Sequence, residues 1–184
     1  MLVNIIKDCF WLSIRNVPNE CFLLALINPL IAVIIMYFFD IKKIMHYTML
    51  LLYVEYVLLL FGSFVVFRVA KTVSEYNLMP FWSYIAYQNG ESELLAQNIL
   101  NTLAFMPIGI FGGMAFHHSM TWLKLLVIGL TVSTSIEVFQ FVFNRGFAEI
   151  DDIMHNTLGC LIGYGIVVMV DSIYLRCSAL CKHN

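Results

Sequence analysis

Apolar residues fill five long stretches of this chain, and short polar runs separate them. A helix needs about 20 apolar residues to cross the roughly 30 Å hydrocarbon core of a bilayer. Residues 21–39 meet that length and close on Asp40, Lys42 and Lys43. Residues 44–67 close on Arg68, residues 94–116 on His117 and His118, residues 122–143 on Asn144 and Arg145, and residues 153–175 on Arg176. The pattern predicts an all-α fold, a multi-pass transmembrane helix bundle of about five spans. Ahead of the first span, Leu2, Ile5, Ile6, Cys9, Phe10 and Ser13 recur at helical spacing, with Asp8, Arg15, Asn16 and Asn19 among them. This predicts an interfacial amphipathic helix that ends at Val17, because a residue before proline disfavours helix. Between the second and third spans, residues 68–93 hold Asn77, Pro80, Trp82, Tyr84 and Tyr87. Trp and Tyr favour the headgroup level, so this segment is expected to lie on or dip into the interface. Asn89-Gly90 predicts a turn before the third span.

Composition agrees with lipid as the solvent. The 184 residues are 61% hydrophobic and 12% charged, whereas a soluble domain is about 25% charged. Mean hydropathy is +0.85. Residues 1–184 read as a single membrane domain. A net charge of -2 leaves no basic face for nucleic acid. Polar residues among the first 20 argue against a cleaved signal peptide. Cys9, Cys21, Cys160, Cys177 and Cys181 make no CxxC pair and stand at no metal spacing with histidine, so reduced, buried or lipid-facing thiols are expected. Acylation of Cys177 and Cys181 beside a helix end is the alternative.

Alternating spans place residues 68–93 and 144–152 on the same face as the N-terminus. This arrangement splits the ten Lys and Arg evenly, so the positive-inside rule hardly discriminates. The Lys42-Lys43 pair in the shortest loop favours an extracytoplasmic position for the face that carries Glu75, Glu91, Glu93, Glu149, Asp151 and Asp152.

Polar groups inside the spans narrow the function. A charged residue at the centre of a span costs about 2.5–3.5 kcal/mol on insertion scales and must be satisfied within the bundle. Ser133, Glu137 and Gln140 share one helical face. Asn98 and Asn101 do the same in the third span, and Asp152 and Asn156 in the fifth. Gly109 with Gly113, and Gly159 with Gly163, make small-residue stripes that let helices approach closely. Arg68 and Arg145 are the cations placed to neutralise the acidic residues. The expected convergence is of Arg68, Arg145, Glu137, Asp151 and Asp152 at one bilayer face, as a binding or catalytic pocket or as a structural ion-pair network. Glu55, flanked by Tyr53 and Tyr56, is expected to be satisfied within the bundle. His46, His117 and His118 sit near span ends and read as solvated.

Taken in order, these residues resemble the VanZ-like membrane protein family over residues 67–168. The resemblance rests on Arg68, on Asn77-Leu78-Met79-Pro80-Phe81, and on Asn98 and Asn101 leading into Phe105-Met106-Pro107-Ile108-Gly109. It continues through Ser133, Glu137 and Gln140, then Arg145-Gly146-Phe147-Ala148-Glu149-Ile150-Asp151-Asp152, Asn156-Thr157-Leu158-Gly159 and Gly163-Tyr164. Glu149 departs from the pattern, which usually shows Asp there; the charge is kept on a longer arm. The resemblance implies a multi-pass protein of the bacterial cell membrane, from a family named for a member linked to resistance to the glycopeptide teicoplanin.

Three functions follow as expectations. The first is a non-enzymatic envelope protein that binds a membrane lipid or amphiphile through Arg68, Asn77, Asn101, Glu137, Gln140, Arg145, Asp151, Asp152 and Asn156, with no cofactor or resident metal. The second is a membrane-embedded enzyme acting on a lipid-linked phosphate or glycan. There Glu137 or Asp152 is the general base, and a divalent cation sits among Glu149, Asp151 and Asp152. No HExxH, nucleophile elbow or P-loop supports it. The third is a transporter using Glu137 as a proton relay, weakened by the lack of an inverted repeat unless a homo-oligomer supplies one.

Overall fold

The computed structural model describes residues 2–18, 21, 27, 41–116 and 119–182. Among them, α1 (Leu2–Ile14) precedes α2 (Ile41–Phe61), which runs into a π-helical turn (Gly62–Val66). Then come β1 (Glu75–Asn77), α3 (Trp82–Gln88), α4 (Ser92–Ala115), α5 (Trp122–Val142), β2 (Phe147–Glu149) and α6 (Ile150–Lys182). Four stretches, His46–Val66, Ser92–Ala115, Trp122–Val142 and Ile150–Ser178, are long and apolar enough to cross a membrane. They correspond to the second to fifth expected spans. The first expected span lies outside the described residues except for Cys21 and Ile27, which are helical. His117 and His118 also lie outside them.

The four stretches have mean hydropathies of 1.5–2.2, yet at most 33% of each window is buried inside the protein. Leu51, Leu58, Val127, Val138, Ile162 and Met169 are all exposed, while Ser133, Glu137, Gln140 and Asn156 are buried. An apolar exterior around a polar interior inverts a water-soluble fold and is what a hydrocarbon solvent requires. The all-α membrane bundle expected from the pattern is therefore observed.

α4 and α6 form the centre of the bundle because their glycines interlock. A Cβ on Gly109 would overlap the Cys160 carbonyl oxygen, and one on Gly163 would overlap that of Met106. A Cβ on Gly159 would strike the Thr102 carbonyl. The two backbones thus touch along both small-residue stripes. α5 packs on the other side of α6, where Gly129 faces Cys160. Phe105, Ile108, Leu125, Ile136 and Cys160 fill the space between these helices.

The sequence pattern offers no strand in the segments between spans. β1 and β2 instead pair in parallel, with Glu75 opposite Phe147, Tyr76 opposite Ala148 and Asn77 opposite Glu149. Three-residue strands are too short to show a period, and their pairing joins the second interspan segment to the fourth. α1 ends at Ile14, three residues before the expected end at Val17, and Gly90 adopts a left-handed turn (φ 103°) ahead of α4, where the Asn89-Gly90 turn was expected. The ends of α2 and α5 and the starts of α4 and α6 meet on one face, capped by the strand pair and α3.

Candidate functional site

The residues expected to converge divide into two neighbouring groups. In the first, Asp151 is fully buried and organises α3. It accepts hydrogen bonds from the Phe81 N–H (2.6 Å), the Ser83 N–H (3.0 Å) and the Ser83 hydroxyl (2.5 Å). Asn98 donates to Ser83 Oγ at 2.8 Å. The carboxylate serves as a tertiary cap for a short helix whose Phe81 N-cap side chain provides none. Tyr84 Oη meets His155 Nε2 at 2.8 Å, and the other ring nitrogen of His155 lies 2.6 Å from the Asp151 carbonyl.

The second group surrounds Arg68. Gln140 on α5 donates to the Phe64 carbonyl at 3.1 Å, and Arg145 donates to the carbonyls of Val66 and Arg68. A π turn and a helix end leave carbonyls without helical partners, and these two side chains satisfy them. Arg145 is thereby engaged by backbone on its Nη1, and the Arg68 guanidinium lies over the Phe64 ring, 5.7 Å from its centroid. Gly146 makes room: a Cβ there would come within 2.5 Å of Gln140 Oε1 and 3.1 Å of Arg68 Nη1. Glu137 accepts the Glu149 N–H at 3.1 Å, and Asn156 donates to Ser133 Oγ at 2.8 Å. Glu137, Glu149 and Asp152 are all electrostatically coupled to Arg68, and Asn101 lies beside Asp152. Among the described residues no carboxylate forms an ion pair with Arg68 within 4.0 Å.

Four acceptor oxygens in this group are buried without a hydrogen-bond donor among the described residues: Glu137 Oε1, Gln140 Oε1, Asp152 Oδ1 and Asn156 Oδ1. Arg68 and Asn101 also line a cavity of 470 Å³ between α1, α2 and α4. Its remaining wall is largely apolar, including Phe10, Tyr56, Leu60, Phe64 and Leu103. The arrangement is a largely apolar cavity with Arg68 and Asn101 on its wall, and the four buried acceptors lie outside that wall.

Of the nine sequence-predicted residues, Arg68, Asn101, Glu137, Gln140, Asp152 and Asn156 belong to this group. Asn77 Oδ1 accepts the Met79 N–H at 2.9 Å and shapes the loop after β1. Asp151 and Arg145 hold backbone. No three His, Cys, Asp or Glu side chains among the described residues are arranged to hold a metal ion, and Asp151 is turned to α3, so the expected cation set of Glu149, Asp151 and Asp152 is not assembled. Glu55 lies apart: the Tyr56 hydroxyl donates to the Ala104 carbonyl (2.8 Å). Sequence reasoning missed Ser83 and the cavity wall. A lone serine carries no signal, and a wall drawn from three helices has no period.

Glu149, at the end of β2, titrates unusually. Burial, then the charge of Asp152, pushes its carboxyl from 4.5 up to about 8, against the pull of the Trp82 indole and Arg68. Between those values the folded chain binds a proton that the unfolded chain has released. Stability is therefore expected to fall as pH rises from 4.5 to about 8. Thermal unfolding in detergent checks this: Glu149→Gln should flatten the slope, and an unchanged slope in the variant refutes the assignment.

A helix bundle that is apolar outside, polar within and closed at one end by a carboxylate–arginine–amide cluster is a membrane protein built around a polar site. Residues 44–171 match the VanZ/LLP1 family model, and the chain belongs to that family. The match begins before the stretch that carried the resemblance and takes in α2, whose end presents Arg68. Comparison with curated proteins and with solved structures gives no match.

Proposed function

We propose that this protein is a non-enzymatic cell-envelope membrane protein that holds a lipid or other amphiphile, with an anionic group on Arg68 and an apolar chain in the adjoining cavity. The observation that carries the reading is the position of Arg68: it lines a largely apolar cavity and has no ion-pair partner within 4.0 Å among the described residues. Arginine matches phosphate and carboxylate geometry through its planar fork. Asn101 stands beside it on the same wall. The family name supports a role in glycopeptide susceptibility, which amphiphile binding would serve by changing how an antibiotic reaches its target at the membrane.

Mass spectrometry of lipid retained by the purified protein tests the proposal. Wild type should carry lipid that Arg68→Ala loses while remaining folded. Arg145→Ala should instead lower thermal stability, by about 0.5–1.5 kcal/mol, because the Val66 and Arg68 carbonyls lose their donor. Identical lipid profiles in wild type and Arg68→Ala would defeat the reading. The enzyme reading draws on one observation, the buried Glu137 oxygen without a hydrogen-bond partner among the described residues. It requires turnover of a lipid-linked substrate that Glu137→Gln abolishes.

A further inference from the structure

We propose that the loop after β1 and the helix α3 form a membrane-seated surface whose partner is the bilayer itself. Leu78, Met79, Phe81, Tyr84 and Ile85 insert at the boundary between head groups and acyl chains. The inference is independent of what Arg68 holds, and it narrows the interfacial segment 68–93 to the side chains that meet hydrocarbon. Three features carry it.

First, the segment is uncharged and its apolar side chains have no cover from the described residues. No Asp, Glu, Lys, Arg or His occurs from Tyr76 to Gly90. Leu78, Met79 and Phe81 are 66%, 56% and 55% exposed, and Tyr84 and Ile85 are exposed as well. Charge returns at both edges. Lys71 pairs with Glu75 at 3.4 Å on the exposed surface ahead of the segment, and Glu91 and Glu93 follow it. An apolar surface between charged edges fits an interfacial seat, where side chains reach about 5–10 Å into the headgroup and acyl boundary. Tyrosine favours that level.

Second, the backbone is equipped for a place without water. The Met79 N–H donates to Asn77 Oδ1, and those of Phe81 and Ser83 donate to the Asp151 carboxylate. The Trp82 N–H donates to the Met79 carbonyl, and those of Tyr84 and Ile85 donate to the Phe81 carbonyl. Pro80 has no N–H. Every backbone donor from residue 79 to residue 85 therefore has an acceptor inside the protein. A loop and helix start in water can leave such donors to solvent, whereas at membrane depth the protein has to satisfy them. The polar side chains beneath the surface are closed in the same way: one ring nitrogen of His155 meets the Tyr84 hydroxyl and the other meets the Asp151 carbonyl.

Third, the surface continues the lipid-facing exterior of the bundle. Tyr84 stacks on His155 of α6 with centroids 5.7 Å apart. Leu158 and Ile162 follow His155 at helical spacing and are exposed. At the other edge Tyr76 meets Phe141 of α5 edge-on at 5.8 Å, beside exposed Val142 and Phe143. The hydrocarbon that covers α5 and α6 thus reaches this surface without a break.

The test uses the full-length protein at one chain per nanodisc of phosphatidylcholine and phosphatidylglycerol, so that both faces are open and no second copy can cover the segment. Leu78→Cys and Ile85→Cys are compared with Gln88→Cys, an exposed polar position at the end of α3. Each is reacted with a sulfonated maleimide, and labelling is read site by site by mass spectrometry. Gln88→Cys should react readily. Leu78→Cys and Ile85→Cys should react about tenfold more slowly or less, because a thiol in hydrocarbon stays protonated. Nitroxides at residues 78 and 85 should collide more with oxygen than with a water-soluble nickel chelate, and one at residue 88 the reverse. Met79→Cys replaces either variant that melts below wild type. Equal labelling at the three positions, or nitroxides at 78 and 85 that favour the nickel chelate, overturns the inference and leaves the amphiphile reading untouched.

Discussion

Replacing Gly163 with leucine is expected to force α4 and α6 apart and leave little folded protein. A Cβ at this position would overlap the Met106 carbonyl oxygen and lie 2.9 Å from its carbon and 3.1 Å from the Ile110 nitrogen. These are backbone atoms of a helix and cannot rotate aside, so even alanine needs the helices to separate. Overpacking a tight interface typically costs about 1–3 kcal/mol, and a leucine against backbone should reach or pass the upper end. The consequence extends to the site, because Asn101 on α4 faces Asp152 on α6 across the same crossing. Gly165→Ala is the control. Its Cβ would meet only the Trp122 ring edge at 3.3 Å, and a side chain can shift. Size-exclusion profiles and melting temperatures of the two variants in detergent provide the measurement. A Gly163→Leu protein that melts like wild type would show that the helices do not cross on these glycines.

Removing the carboxylate in Asp151→Ala is expected to unfold α3 and the loop before it. The side chain is fully buried and accepts two N–H groups and one hydroxyl from residues 81 and 83. Each buried donor left unsatisfied costs about 1–3 kcal/mol, so the variant should lose about 3 kcal/mol or more. α3 has only seven residues and cannot persist on propensity. Phe81 also adopts a left-handed conformation (φ 62°), which its surroundings must hold in place. Asp151→Asn retains one acceptor oxygen and should lose less. Hydrogen exchange at the amides of residues 81–86 discriminates: protection in Asp151→Ala equal to wild type would show that the carboxylate is not the cap.

Legibility differed between elements for physical reasons. The second to fifth spans were readable because hydrocarbon thickness sets a length that no other local feature mimics. The inward face of α5 was readable because Ser133, Glu137 and Gln140 stand at helical spacing, and three polar groups on one stripe cannot all face lipid. β1, β2 and α3 were not readable. Each is held by partners far along the chain, Asn77 by Glu149 in the ladder and Ser83 by Asp151, and local pattern does not report such pairings. The chemistry of individual side chains was hardest. Asp151 and Asp152 are adjacent and identical in type, yet one caps a helix and the other joins the Arg68 group. Likewise Arg68 and Arg145 both precede polar loops, but one lines a cavity while the other holds carbonyls at the end of the π turn.

The sequence by itself therefore determined the solvent, the spans, the face that carries the polar residues and the family, because each depends on residue type and spacing along a helix. Only the tertiary structure decided which carboxylate and which arginine are taken up by backbone groups. That choice depends on which backbone groups come within hydrogen-bonding reach once α4, α5 and α6 have packed, and packing of this kind has no signature in the order of residues.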